Sequence, residues 1–275
     1  MKCAIFAIAR KENLYIRDWV TYHLSIGFDK IYIFDNNFDG EENFNDVISD
    51  FIEKDIVNII NVRNKKCYQN VSYNYAILNL CSKYDWNAFI DIDEFITLKK
   101  FKDIKDYFSQ DIFKDTDAIE LNWMLYNDNN QITKKEGSVL ERFTKPCDFD
   151  LKVSYYFPEN NHCKTIINGK SKYLLSFSFY EQPHCLTYYN KSSVFKNNKG
   201  DIIKSSPFNS YNFDNAYIRH FPTKTLEEYL NIKCKRGFCE GLSKDILNIN
   251  YFWARNERTK EKEKFYENYL KEKTL

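Results

Sequence analysis

Glycine and proline are scarce in this chain, at 7 and 5 of 275 residues. That scarcity excludes collagen-like and linker-rich classes and leaves a chain of packed elements. Charge of one sign is lacking too. Forty Lys+Arg face 39 Asp+Glu for a net charge of +1, so no global field recruits nucleic acid, and none is expected as a partner. No apolar run reaches the roughly 18 residues of a membrane-spanning helix. The eight cysteines (Cys3, Cys67, Cys81, Cys147, Cys163, Cys185, Cys234, Cys239) include no C-x-x-C pair. The opening run Lys2–Ile8 reads as a strand rather than a secretory leader, so reduced thiols and a cytoplasmic location are expected. His162-Cys163 and His184-Cys185 are candidate zinc ligands, but their spacing matches no common zinc module. Neither G-x-G-x-x-G nor G-x-x-x-x-G-K-[ST] occurs, so any bound phosphate must be met by side chains and a cation.

What the chain has in abundance is aromatic and apolar residues in periodic runs, including 21 Tyr and 23 Phe. Its length fits one large domain or a domain with a small appendage. Strand and helix signals alternate over the first 100 residues. Cys3–Ala9, Lys30–Phe34, Ile56–Val62 and Trp86–Ile92 read as strands. Between them, Glu12–Ile26 carries a stripe of Tyr15, Trp19, Tyr22 and Ile26 with Gly27 at the C-cap position. A second helical face holds Phe44, Val47, Ile48, Phe51 and Ile52, and Gln69–Ser82 carries Val71, Tyr75 and Leu78. This β-α-β-α-β-α-β order predicts an α/β fold with a mostly parallel central sheet flanked by helices. After residue 100 a short helix (Phe101–Phe108) and a strand (Ala118–Tyr126) precede an Asn-rich loop. Extended segments follow at Val139–Phe143, Val153–Phe157, Lys164–Asn168, Tyr173–Phe179 and Tyr217–Phe221. The resulting division is 1–240 as one domain, with 1–100 as the nucleotide-binding half and 101–240 as the acceptor half, and 241–275 as a helical extension. The terminal amphipathic helix, Glu257–Leu275, is expected to pack on the domain, with a partner helix or a membrane surface as its alternatives.

The run Asn87–Ile96 carries Asp91, Asp93 and Glu94 inside an apolar stretch. In extended backbone Asp91 and Asp93 would point the same way. Oxygen ligands of this kind suit Mg²⁺ or Mn²⁺, which complete their shells with water and phosphate. The alternative is an acidic cap on a strand. Ligands of open α/β sheets bind beyond the carboxyl ends of the strands. Ala9–Glu12, Asp35–Asn37 and Asp91–Glu94 all fall at such ends, which favours a site.

Ala9-Arg10-Lys11-Glu12-Asn13, Trp19, Tyr22-His23, Gly27-Phe28-Asp29, Ile33-Phe34-Asp35-Asn36 and Trp86–Phe95 together resemble metal-dependent glycosyltransferases of the GT-A fold, in their family-2-like and family-92-like groups. Trp123, Gly137, Glu141-Arg142-Phe143, Lys164, His184 and the late His220–Tyr229 segment with Lys233 and Arg236-Gly237 follow in a similar order. The resemblance runs from about residue 3 to 237 and departs after Trp123, where an aromatic-Gly-Ser step is replaced by Met124–Asp128. It implies a hexose moved from a nucleotide sugar, a UDP-hexose, to a glycan or lipid-linked glycan acceptor of bacterial surface polysaccharide or lipopolysaccharide. It further implies inversion, at the cytoplasmic face of the inner membrane with peripheral membrane association.

The expected roles are these. Arg10, Glu12, Asp35 and Asn36 hold base and ribose, since an Asp can accept the uracil imide N–H. Gln69 and Asn74 reach the ribose or the sugar. Asp91, Asp93 and His220 hold Mn²⁺ or Mg²⁺, Asp91 also contacts the nucleotide, and Lys224 stands beside the diphosphate. Asp128, then Glu141, is the expected general base, and Trp123 and Tyr126 are candidates for stacking on sugar faces. A D-x-D phosphatase with Asp91 as nucleophile and a non-catalytic sugar-binding module are the competing readings.

Overall fold

The computed structural model describes residues 1–148, 159–180, 182–188, 192–237 and 247–274. The expected strand at Val153–Phe157 lies outside them. Strands β1 (Cys3–Ala9), β2 (Lys30–Asp35), β3 (Val57–Asn61) and β4 (Trp86–Phe89) alternate with helices α1 (Asn13–Ser25), α2 (Asn45–Glu53) and α3 (Gln69–Asn79). The four strands are parallel, in spatial order β3-β2-β1-β4. Next come β5 (Glu94–Leu98), α4 (Ile104–Phe108), β6 (Ala118–Leu125), α5 (Val139–Arg142) and β7 (Cys163–Asn168). Strand β7 lies antiparallel between β4 and β6, which joins the two halves into one sheet. A two-stranded hairpin, β8 (Phe177–Ser178) with β9 (Thr187–Tyr188), stands apart. Strands β10 (Phe195–Asn197) and β11 (Ile202–Ile203) extend the edge beyond β6, and β12 (Ala216–His220) runs parallel to β6 and antiparallel to β5. The mostly parallel α/β sheet is thus the one expected.

Strand β1 is covered on both faces, so Cys3–Ala9 reads as an unbroken apolar run. Alternate residues of β1 face opposite layers. Cys3, Ile5, Ala7 and Ala9 pack with the helix α1 residues Ile16 and Trp19, whereas Ala4, Phe6 and Ile8 pack with Tyr73, Ala76 and Ile77 of α3. Helix α1 is tied to β5 by hydrogen bonds as well. Trp19 Nε1 donates to the Glu94 carbonyl at 2.8 Å, Tyr22 Oη to the Ile96 carbonyl at 2.8 Å, and the Ile96 N–H to His23 Nε2 at 3.3 Å. Burial pushes the His23 pKa down to about 3. This imidazole is a neutral structural acceptor.

Two glycines are required by geometry. Gly27 follows α1 with a φ of +100°, where a side chain is strained. Gly169 follows β7, and a Cβ there would lie 2.2 Å from the carbonyl oxygens of both Cys81 and Tyr84. The chain closes over the top of β4 only because that position is bare.

Three expectations fail locally. The strand carrying the acidic triplet stops at Phe89, because the Glu94 carboxylate accepts the Asp91 N–H at 2.9 Å and the Glu94 N–H returns to the Asp91 carbonyl at 3.1 Å. Those bonds make a turn, not an extended run. Val139–Phe143 is helical from Val139 to Arg142, because Ser138 and Glu141 form a capping box. In α3 the face with Val71, Tyr75 and Leu78 is exposed, while Ser72, Tyr73, Ala76 and Ile77 are buried.

The late segment runs through α6 (Leu226–Glu228), a π-turn (Tyr229–Lys233) and α7 (Cys234–Arg236). Helices α8 (Ile249–Trp253) and α9 (Lys260–Thr274) follow, and Phe252, Phe265, Tyr266 and Tyr269 pack on Leu226, Tyr229 and Leu230. The apolar side of the terminal helix is therefore used within the domain. No helix among the described residues is long and apolar enough to cross a membrane.

Candidate active site

A cavity of about 520 Å³ opens beyond the carboxyl ends of β1, β2 and β4. Its size suits a small-molecule ligand. Ile8, Ala9, Arg10 and Glu12 line it from the end of β1, Asn36 and Phe38 from β2, and Lys65, Lys66 and Gln69 from the step between β3 and α3. The β4–β5 turn supplies Asp91, Ile92 and Asp93. Trp123, Glu159, His184 and His220 form the far wall, and Lys233, Arg236 and Tyr251 reach in from the late helices.

On the β1 side Arg10 stacks over the Phe38 ring at 3.9 Å while Glu41 takes two of its hydrogen bonds, at 2.7 and 2.8 Å. The guanidinium holds the Glu41 pKa down at about 2. Glu12 is paired with Arg236, which also donates to the Arg10 carbonyl. Asn36 donates to the carbonyls of Val62 and Lys65, fixing the loop that presents Lys65 and Lys66.

The two aspartates have separate partners. Asp91 meets Lys164 Nζ at 2.7 Å and Gln69 Nε2 at 2.8 Å. Lys164 is fully buried; burial opposes its charge, but Asp91 and Glu94 outweigh that and raise its pKa. Burial raises the Glu94 pKa well above the carboxylate range against the pull of Lys164. Asp93 meets Lys233 Nζ at 3.1 Å and His220 Nε2 at 3.8 Å. Burial pushes the Asp93 pKa up, and the cationic Lys233 with the His220 and Lys224 side chains more than reverses this, holding it well below the usual range.

The donor set for a cation is thus narrower than expected. Among the described residues no three His, Cys, Asp or Glu side chains gather into a metal-binding group, zinc included. Asp91 stands with Lys164 instead of with Asp93 and His220. What remains is one carboxylate and one imidazole facing each other, with His220 Nδ1 buried and unbonded. A nitrogen–oxygen pair completed by water and diphosphate oxygens fits Mn²⁺, and fits Mg²⁺ less well.

Several expected residues are not at the cavity. Asp35 accepts from Arg63, at 2.7 Å, and from Asn37, at 2.8 and 3.0 Å, which turns it toward its own loop, and it is not among the residues that line the cavity. Both ends of the Asn74 amide bond the Phe179 backbone, at 2.9 and 2.7 Å. Asp128 is buried and ion-paired at 2.6 Å with Lys262 of α9, so it fastens the terminal helix and does not face an acceptor. Glu141 is the capping-box residue of α5, and its neighbour Arg142 is the one that turns inward, onto Glu228 at 2.9 and 3.0 Å. Tyr126 packs against Phe221. Trp123 does line the cavity, ringed by His220, His162 and His184 at 4.1, 4.7 and 5.1 Å.

Lys224 lies behind Asp93 in a small neighbouring recess. Its ammonium sits 4.1 Å from the Tyr15 ring centroid. Burial lowers its pKa from 10.5 to about 8, so keeping it charged below pH 8 costs the fold about 3 kcal/mol. A lysine whose folded pKa is lowered regains that stability as pH rises from 8 toward 10.5. Lys224→Met is therefore expected to exceed wild type by about 2 kcal/mol at pH 7, after about 1 kcal/mol for the lost contact with Tyr15. The gap should close by pH 10.5 in urea unfolding. Buried thiols such as Cys3 and Cys81, raised by burial, tilt both curves equally above pH 9 and cancel in the difference. A gap independent of pH would rule this account out.

Lys65, Lys66, Phe38, Glu159 and Tyr251 were not anticipated at the site. The first two follow the third strand, where the sheet-edge rule could have found them. Glu159 and Tyr251 carry no local signal.

A glycosyltransferase family 92 protein of Ricinus communis is 28% identical over 102 residues, 37% of this chain and 18% of that protein, so the match spans under a fifth of the relative's length. Solved structures are more distant. TarS 1–349 of S. aureus in complex with UDP is 12% identical over 62% of this chain and 47% of its own, with a TM-score of 0.38. HddC of Yersinia pseudotuberculosis is 14% identical over 72% and 89%, also with a TM-score of 0.38. Both likenesses are too loose to bear on function. The model of glycosyltransferase family 92 matches residues 8–225, most of the chain and the cavity wall as far as His220, and the chain belongs to that family.

Proposed function

We propose that this chain transfers a hexose from a nucleoside diphosphate sugar, a UDP-hexose, to a hydroxyl of a glycan or lipid-linked glycan acceptor, with inversion, during bacterial surface polysaccharide or lipopolysaccharide synthesis at the cytoplasmic face of the membrane. One observation carries the reading: Asp91 and Asp93 share a sheet-end cavity with Lys65, Lys66, Lys233 and Arg236. Carboxylates that orient a donor beside cations that face a diphosphate are what such a transfer needs.

In this reading the base lies near the Arg10–Phe38 stack, and Gln69 with Asp91 meets the ribose or the sugar. Asp93 and His220 would hold Mn²⁺ or Mg²⁺, which when bound offsets the charge on the leaving diphosphate. Lys233 is freed from Asp93 to face the diphosphate, with Arg236, Lys65 and Lys66 around it. The acceptor oxygen attacks the anomeric carbon, and the bond to the diphosphate breaks with its electron pair. Glu159, on the far wall, takes the acceptor proton.

Thermal unfolding with UDP, GDP and CDP, each with and without Mn²⁺, tests the reading. UDP with Mn²⁺ at about 100 times its Kd should raise Tm by about 5–10 °C, and a UDP-hexose should then be slowly hydrolysed. If no nucleotide–metal pair stabilises the protein, it is not a nucleotide-sugar transferase.

A further inference from the structure

Five large apolar side chains lie exposed on two adjoining stretches: Val71 (48%), Tyr75 (48%) and Leu78 (63%) of α3, with Leu175 (72%) and Tyr180 (75%) of the segment packed beside it. The two stretches are joined directly. Asn70 Nδ2 donates to the Tyr180 carbonyl at 3.1 Å, and the Asn74 amide holds the Phe179 backbone. Lys170 Nζ ties the other end to the Ser82 carbonyl at 2.7 Å. Large apolar side chains exposed together on neighbouring stretches of a protein surface mark an interaction site.

The charge on this face is one-sided. Residues 62–84 and 168–180 contain Arg63, Lys65, Lys66, Lys83, Lys170 and Lys172 and not one Asp or Glu, in a chain with 39 acids. Arg63 is engaged by Asp35, Lys170 by the Ser82 carbonyl, and Lys65 and Lys66 line the cavity, which leaves Lys83 and Lys172 exposed beside the apolar side chains. A net charge of +1 for the whole chain conceals this local excess.

We infer that the α3 face docks on an anionic lipid surface, its leucines and tyrosines entering the headgroup boundary and Lys83 and Lys172 meeting lipid phosphates. Aromatic and aliphatic tips ringed by lysine are the composition of interfacial binding, where apolar burial and attraction to anionic headgroups add. The α9 helix is not available for this role, because its aromatic residues pack inside the domain. Docking through α3 also has a geometric effect. Gln69 begins α3 and lines the cavity beside Lys65 and Lys66, so the site would open close to the lipid surface, within reach of an amphiphilic ligand.

Vesicle co-sedimentation tests this without any assay of activity. The full chain should bind vesicles of phosphatidylglycerol and phosphatidylcholine at least tenfold more tightly than phosphatidylcholine alone. Lys83→Gln with Lys172→Gln should weaken that binding by about fivefold per lysine, and Leu78→Ser with Leu175→Ser by about tenfold or more. Both pairs change exposed side chains away from the cavity, and unchanged thermal unfolding controls for folding. Equal binding to both vesicle types, or no loss in either variant, would overturn the inference. So would concentration-dependent self-association in gel filtration that Leu78→Ser with Leu175→Ser abolishes, since a second copy of the chain would then cover the face.

Discussion

Asp93→Asn should lower sugar transfer by at least about 10³-fold. Removing a single electrostatic partner of the transition state costs about 10²–10³, and here the substitution removes two functions together. It deletes the carboxylate that faces His220 and leaves Lys233 without its anion. Stability should fall as well, by about 3 kcal/mol, the usual consequence of stranding one member of a buried pair. The pH window follows from the lowered pKa of Asp93. An acid held below its unfolded value of about 3.9 contributes fully above that pH and loses its contribution only as pH falls through the folded value. The stability gap between variant and wild type should therefore be constant from pH 5 to 8 and shrink below pH 4. Turnover by Asp93→Asn within tenfold of wild type would remove Asp93 from the chemistry.

Glu159→Gln should lower transfer by about 10²–10⁴-fold, the range for loss of a general base, while leaving the UDP–Mn²⁺ shift in Tm within about 1 °C. Of the four carboxylates that line the cavity among the described residues, Glu12 is locked to Arg236, Asp91 to Lys164, and Asp93 to Lys233. Glu159 has the longer contact, 3.3 Å to Arg255. It also lies on the turn packed against β6, the strand that carries Trp123. Slowed transfer with unimpaired nucleotide binding separates a base from a donor-binding residue. A rate within tenfold of wild type would move the role to His184, the next titratable group on that wall.

The first half of the fold was legible because its strands are buried on both faces and its helices are bounded by clear breaks. The later half was less so, for reasons that particular residues show. Ser138 and Glu141 have the spacing of a capping box, a helix-start signal that competes with the β-branched look of Val139. The stripe Val71-Tyr75-Leu78 has helical period, but periodicity names a face without saying which side meets the core. At the site, residue type and strand position brought Arg10, Glu12, Asn36, Gln69, Asp91, Asp93 and His220 to one cavity. Pairing partners were not readable. Lys164 stands 73 positions from Asp91 and Lys262 far beyond Asp128, and no local pattern says which lysine neutralises which carboxylate. Asp35 shows the same limit: nothing near it in sequence announces that Arg63 will take its oxygens.

The pairing of Asp93 with Lys233 also bears on how the protein is made. Their separation is 140 positions, which at about 5–20 residues per second is a delay of roughly 7–28 s between the synthesis of one and the other. During that interval the residues of β1, β2, β3, β4 and the acidic turn have been synthesised, while Lys233 and Arg236, the partners of Asp93 and Glu12, have not. A chain truncated before Lys233 is therefore expected to leave Asp93 and Glu12 without their cations.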